Sequence, residues 1–363
     1  MPFKFRINSY LPFKKFCVII PAHNERAVIA DLIHSIHGVD YPESLISVNV
    51  IADNCTDDTA DIVRGLGYTN VTVWDRTNSQ LRGKQHAIEW LLSQQELPDY
   101  DALVVFDADN LVAPNFFSAM NNRLCSGQKL VQSFIDAKNI NSWVAVSYSL
   151  QFLMMTRTIF RAKAGLGSMY LGGTGAVIAR EIIHRYGWHV GTLTDDLEYS
   201  VKMILAGERI YLAPETRVYN EHPVGLAASF HQRVRWIRGA TQTVFLYWPR
   251  LLRMAANKPG FAALDALVYI PFHFLTLASM IMMFMYFSWF GLVVNSAFLL
   301  VSFSLPLLRM ELDHFRFNRW NYLGVLAQPI YVWTWYAVII WAIATAWKRN
   351  WRPTKHFIGS LEL

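Results

Sequence analysis

Cysteine is scarce, with Cys17, Cys55 and Cys125 the only three in 363 residues. A set that is odd in number and far apart builds neither a disulfide framework nor a tetrahedral zinc site, and it fits a reducing, cytosolic setting for the polar part of the chain. Charge is also short. Only 17% of residues are charged against 53% hydrophobic, and the mean hydropathy is positive. That balance excludes an ordinary soluble enzyme and puts part of the chain in lipid. The net charge of +6, from 33 Lys+Arg over 27 Asp+Glu, suits an anionic membrane surface or an anionic diphosphate at least as well as nucleic acid. The N-terminal stretch is basic but has no apolar run before the strand-like FCVII. No secretory signal or leading membrane span is expected, and the chain is expected to start in the cytosol. Internal repeats and low-complexity tracts are lacking too.

What is present in the first half is alternation. Short β-rich runs at Phe16 to Ile20, Ser47 to Ala52, Val71 to Trp74 and Ala102 to Phe106 are separated by helical patterns at Glu25 to Ile36, Asp57 to Leu66 and Lys84 to Gln94. This predicts βαβ units and a mainly parallel sheet. PAHNE, DNCTDD and DADN fall just after strands, where functional loops of such sheets lie. Ser142 to Lys163 is aromatic and Met-rich with Arg157, Arg161 and Lys163 at its end, a pattern open to an interfacial helix or a buried one. Phe261 to Leu308 is long enough for two spans with a turn near Trp289 to Gly291, and Tyr322 to Trp347 makes a third. Three spans would leave the basic tail outside, against the positive-inside tendency, and Pro329 could break the last segment.

Acidic residues cluster at the strand ends. Asp107 and Asp109 directly follow ALVVF, where hard carboxylate oxygens can bridge a divalent cation to substrate phosphates; the alternative is a loop ahead of Pro114. Asp53 ends a strand and could accept from a nucleobase imide or a ribose hydroxyl, whereas Thr56 and Asp57 read as helix caps. Asp195 and Asp196 are adjacent, so like-charge repulsion can raise one pKa and give a base for an acceptor hydroxyl; the alternative is a helix N-terminus with dipole-stabilising acids. In HQRVRWIRG, Arg233, Arg235 and Arg238 beside Trp236 offer fork donors to a diphosphate and a flat face to a sugar, or a membrane-surface helix. Lys84 is the first half's best single cation for phosphate.

Together PAHNE, ADNCTDD, RGK, DAD, GGTG, TDD and QRVRW, in that order from about Phe16 to Trp236, resemble the family-2 glycosyltransferases. The resemblance is closest to the membrane-integrated branch that includes cellulose synthase, hyaluronan synthase and the chitin-oligosaccharide synthases. It implies a GT-A type α/β domain over residues 1–225, interfacial amphipathic helices with QxxRW over 226–260, and about three transmembrane helices over 261–363. It further implies that Pro21, Glu25 and Asp53 hold the nucleoside of a UDP-sugar, that Lys84 and Arg235 approach the diphosphate, and that Asp107 and Asp109 carry Mg²⁺ or Mn²⁺. Asp196 is the implied general base with Asp195 beside it. Gln232 and Trp236 would meet the acceptor, and Gly173, Thr174 and Gly175 would shape its wall. One base and no enzyme nucleophile imply inversion at the anomeric carbon.

The sequence departs from the family pattern in two ways. The usual Glu-Asp pair is Asp195-Asp196, and no spans are expected ahead of the catalytic domain, where the polymer-secreting synthases have two. The resulting expectation is a multi-pass inner-membrane enzyme with its catalytic domain in the cytosol. It would move glucose or N-acetylglucosamine from a UDP-sugar to a saccharide acceptor, with no nucleic-acid partner. Two alternatives differ in acceptor or class: a lipid acceptor, as in the ceramide glucosyltransferases, and a non-catalytic scaffold or sensor.

Overall fold

The computed structural model describes residues 11–94, 96–167, 169–257, 260–285 and 319–348. The alternating first half forms β1 (Phe16–Ala22), α1 (Ile29–His37), β2 (Ile46–Asp53), α2 (Thr59–Gly65), β3 (Val71–Arg76), α3 (Lys84–Leu92) and β4 (Ala102–Val105). All four strands pair in parallel, in the order β3-β2-β1-β4. The chain continues through β5 (Leu111–Val112), α4 (Phe116–Cys125), β6 (Leu130–Ala137), α5 (Trp143–Met154), α6 (Arg161–Gly165), β7 (Ala176–Ala179), α7 (Arg180–Tyr186), α8 (Asp195–Leu205) and β8 (Ile210–Asn220). These later strands extend one eight-stranded sheet as β4-β7-β6-β8-β5. β7 runs antiparallel to both its neighbours, and β6 pairs in parallel with β8.

β1 is apolar without alternation because both of its faces are covered. Phe16, Val18 and Ile20 face one core with Ile29, Leu32, Ile33 and Ile36 of α1, while Cys17 and Ile19 face a second core with Ala87, Ile88 and Leu91 of α3. The two-residue period of the strand thus distributes one run between two helix layers. The mainly parallel α/β sheet read from the sequence is present.

The C-terminal part is helical, with α9 (Leu226–Asn257), α10 (Phe261–Tyr269), α11 (Phe272–Met285) and α12 (Arg319–Ala344). α9 occupies the stretch expected for interfacial helices. Of the two readings of Ser142 to Lys163, burial holds for α5, where Val144 to Leu150 are all covered. Beyond it lie a π-helical segment, Met155–Phe160, and the more exposed α6.

Among the described residues no single helix is long and apolar enough to cross a membrane. Two bent pairs meet that length and composition together: Phe261–Tyr269 with Phe272–Met282, bent by 51°, and Tyr322–Gln328 with Ile330–Ala344, bent by 54°. The break expected at Pro329 falls at the second bend. The turn near Trp289 to Gly291, and with it the second expected span, lies outside the described residues.

Candidate active site

β4 ends at Val105, and the next residues carry the two aspartates out over the sheet edge. Asn110, fully buried, braces this loop. Its Oδ1 accepts from the Asp107 N–H at 3.0 Å and from the Thr174 hydroxyl, and its Nδ2 donates to Asp109 Oδ1 at 3.1 Å and Asn220 Oδ1 at 3.0 Å. Lys138 Nζ adds a hydrogen bond to the Asp109 carbonyl at 3.1 Å. A loop braced on both sides holds its carboxylates in place before any ligand arrives, which lowers the cost of binding one.

Lys84 opens α3, behind Gly83 at φ 112°. Its Nζ donates to Asp107 Oδ1 at 2.5 Å and to the Gly173 carbonyl. Burial works against this ammonium, yet Asp107, Asp195 and Asp196 outweigh it and hold the Lys84 pKa above its ordinary value.

Asp195 and Asp196 begin α8. Asp195 is 9% exposed, and among the described residues its Oδ2 has no hydrogen-bond partner. Asp196 Oδ1 accepts from the Leu197 N–H at 2.8 Å, and its Oδ2 lies 3.1 Å from where a Cβ on Gly173 would sit, at φ +80°. Burial, with the like charge of Asp195 second, pushes Asp196 up to about 7, against the opposing pull of the Leu197 N–H, Lys84 and Arg235. A carboxylate at that value can take a proton near neutral pH.

α9 crosses the start of α8 at Gly239, where a Cβ would fall 2.6 Å from the backbone N of Thr194. Farther along, the Tyr247 hydroxyl donates to Glu198 Oε1 at 2.7 Å, while Glu198 Oε2 accepts the N–H groups of Gly191 and Thr192, each at 2.7 Å. The buried Glu198 carboxyl, despite burial, is held below its ordinary pKa by these donors.

The arginines read as one set are divided by the helix. Arg235 lines the same cavity as Trp236 and Gln232. Arg233 instead is fully buried against Tyr331 and Trp335, with Nη1 on Thr334 at 2.8 Å, and Arg238 donates to Thr345. Arg233 and Arg235, two apart on the helix, face different ways, and Arg238 is drawn to Thr345, so of the three only Arg235 lines the cavity.

The remaining expected residues are divided as well. Pro21, Glu25 and Asp53 line the cavity together with Lys84, Asp107, Asp109, Gly173, Asp195 and Asp196. Asp53 is 6% exposed and its Oδ1 already takes the Arg76 guanidinium and the Asn54 amide. Thr174 and Gly175 do not line it. Thr174 is 2% exposed and donates to Asn110, and a Cβ on Gly175 would meet Val218 at 2.8 Å. Both support the aspartate loop and the sheet from behind. Asp57 serves α2, accepting the Thr59 N–H at 3.1 Å.

Asn110, Arg76, Glu198 and Gly239 were not singled out from the sequence. Gly239, an isolated glycine inside a helical pattern, carried a readable signal of close approach. Arg76 carried none, because its partner is set by strand order.

The cavity has a volume of about 1510 Å³, and its lining falls into two groups. One holds the carboxylates just described. The other, the apolar arm, comprises Phe152, Met155 and Ile159, Tyr269, Phe272 and Thr276, and Val332, Trp335 and Ile339 of α12. Among the described residues no group of three or more His, Cys, Asp or Glu side chains converges as a closed metal cage. Two carboxylates on a braced loop fit a hard divalent cation whose other ligands come from phosphate and water.

The chain is 28% identical over 249 residues to a beta-monoglucosyldiacylglycerol synthase of Synechocystis and 30% identical over 265 residues to one of Nostoc, covering 66% and 69% of this chain. It spans about half the length of these relatives, 50% and 54%. A mannosyltransferase of Pyrobaculum calidifontis, solved with GDP-Man and Mn²⁺, superposes with a TM-score of 0.58 at 18% identity, over 93% of this chain and 88% of that one. That likeness establishes the GT-A-like α/β fold. The family described as glycosyltransferase like family 2 matches residues 13–239, the stretch that holds every aspartate, glycine and arginine of the site, and the chain belongs to that family.

Proposed function

We propose that this chain is a membrane-associated, inverting glycosyltransferase that moves a sugar from a UDP-sugar to the hydroxyl of a lipid acceptor. The observation that carries the reading is the continuity of one cavity, from Asp107, Asp109 and Asp196 into an apolar arm between the C-terminal helices. A saccharide needs no such arm. The names of the relatives from Synechocystis and Nostoc point the same way, toward a lipid rather than the saccharide acceptor favoured by the sequence motifs. Supporting it also are exposed large apolar side chains on the helices around the arm, among them Phe245, Leu264, Phe272, Leu326, Trp333 and Trp341, a face suited to lipid.

In this reading Pro21, Glu25 and Asp53 bound the nucleoside end, with Asp53 presented by Arg76. Lys84 and Arg235 offset the charge of the diphosphate. Asp107 and Asp109 would hold Mg²⁺ or Mn²⁺, which when bound would supply positive charge to offset that of the diphosphate. Asp196 takes the proton of the acceptor hydroxyl as its oxygen bonds to the anomeric carbon and the bond to UDP breaks on the opposite face. The acceptor oxygen is itself the nucleophile, so a single displacement needs none from the enzyme.

A saccharide acceptor is the second reading, favoured by Trp236, whose indole borders the cavity beside Arg235. A scaffold has no need of a carboxylate held near pH 7.

The test is UDP release by detergent-solubilised protein with Mn²⁺ and a panel of UDP-sugars, with labelled product assayed in organic and aqueous phases. Label in the organic phase, lost in Asp196→Asn, is expected. Label confined to the aqueous phase would favour the saccharide reading, and no transfer to any acceptor would remove the enzyme reading.

A further inference from the structure

From Gly191 to Thr194 the loop that delivers Asp195 and Asp196 has neither helix nor strand, so what its backbone N–H groups find decides where it lies. Those of Gly191 and Thr192 stay local, on Glu198 of α8. That of Leu193 leaves the loop and donates to Gln242 Oε1 of α9 at 3.0 Å. The other end of the same amide, Nε2, donates to the Ala346 carbonyl at 2.7 Å. A backbone donor on one side and a backbone acceptor on the other fix the orientation of the amide, because the flipped group would oppose N–H to N–H and oxygen to oxygen.

Gln242 is 5% exposed, so neither bond is readily replaced by water. Ala346 lies just past α12, whose Val332, Trp335, Tyr336 and Ile339 line the apolar arm. Arg238, one turn before Gln242, ties the same end of α12 through Thr345. One buried side chain therefore joins the loop before the paired aspartates, the helix of Arg235 and Trp236, and the end of the helix that walls the arm.

We propose that Gln242 is a positioning residue that seats the Asp195–Asp196 loop against the docked end of α12, so that the acceptor arm and the proton-accepting carboxylate are held in one register. Its effect on catalysis rests on the transferase reading; the tie itself does not.

The test uses the full chain in detergent with two variants. Gln242→Leu keeps the volume and loses both bonds. Gln242→Glu keeps an acceptor for Leu193 and loses the donor to Ala346. Hydrogen exchange is expected to speed at Leu193 by about tenfold or more in Gln242→Leu and to stay near wild type in Gln242→Glu. With the donor sugar varied, Gln242→Leu is expected to lose about tenfold or more in kcat while KM for the UDP-sugar stays within about twofold, and Gln242→Glu, which keeps the loop bond but not the tie to α12, to lose kcat by a smaller factor, again at unchanged KM. A helix-packing role alone would lower the melting temperature without that split of kcat from KM. Unchanged exchange at Leu193 in Gln242→Leu overturns the proposal, as does faster exchange with kcat intact. If wild type transfers no sugar to any acceptor, the transferase reading fails and exchange still decides the tie.

Discussion

Asp196 draws its proton affinity from burial and from Asp195, and loses some to Lys84 and Arg235. These opposing influences give the pH dependence of transfer a defined sign. A base must be unprotonated to act, so activity falls as pH drops through its pKa. Removing a neighbouring cation raises that pKa, and removing the neighbouring carboxylate lowers it. Lys84→Met is therefore expected to move the acid limb of the kcat profile to higher pH, and Asp195→Asn to move it to lower pH, each read from rates between about pH 5 and pH 8. Limbs that stay in place in both variants would remove Asp196 as the titrating base. Asp196→Asn should lose about 10³-fold in kcat and still bind the UDP-sugar, which calorimetry checks. Local motifs made these residues legible: the aspartates of DAD and TDD and the lysine of RGK each sit within a few positions of the strand or helix end that presents them. Asp53 was found the same way, but its pairing with Arg76 was not, since that bond joins strands β2 and β3 across 23 positions of sequence.

Between elements, the site depends on how closely α9 approaches α8. At Gly239 the backbone of Thr194 occupies the place of a side chain, and backbone cannot swing aside as a side-chain tip can. Gly239→Ala is expected to push the helices apart, costing about 1–3 kcal/mol of stability and at least about tenfold in kcat, with donor affinity little changed. Tyr247→Phe removes one of the donors to the buried Glu198 carboxylate and should cost about 1.5–3 kcal/mol in a denaturation midpoint. The family resemblance implied helices where α9 lies, and the strands were legible from apolar runs that reflect two covered faces. Which side of α9 meets the cavity was not legible. Arg233 turns away from it because Tyr331, Thr334 and Trp335 of α12 lie about a hundred residues downstream, and no local pattern carries that information.

Across the whole molecule, the polar end and the apolar arm of the cavity are built by largely different elements. The sheet loops and the start of α8 carry the aspartates, and α10, α11 and α12 with α5 and the π-helical segment after it make the arm. The two ends can therefore be damaged separately. Thr276 of α11 lines the cavity among the apolar residues of the arm and is not among the residues assigned to the nucleotide, so a large ring there is expected to obstruct the acceptor rather than the donor. Thr276→Trp is expected to lower transfer to a long-chain lipid by about tenfold or more while UDP-sugar affinity by calorimetry stays within about twofold. Transfer to a short, water-soluble alcohol should be spared, because such an acceptor reaches Asp196 without filling the arm. Equal loss with long and short acceptors would mean that the ring has displaced α11 rather than filled the arm. Unimpaired transfer to the long lipid would mean that the acceptor enters by another route, and the apolar arm would then lose its claim to the acceptor.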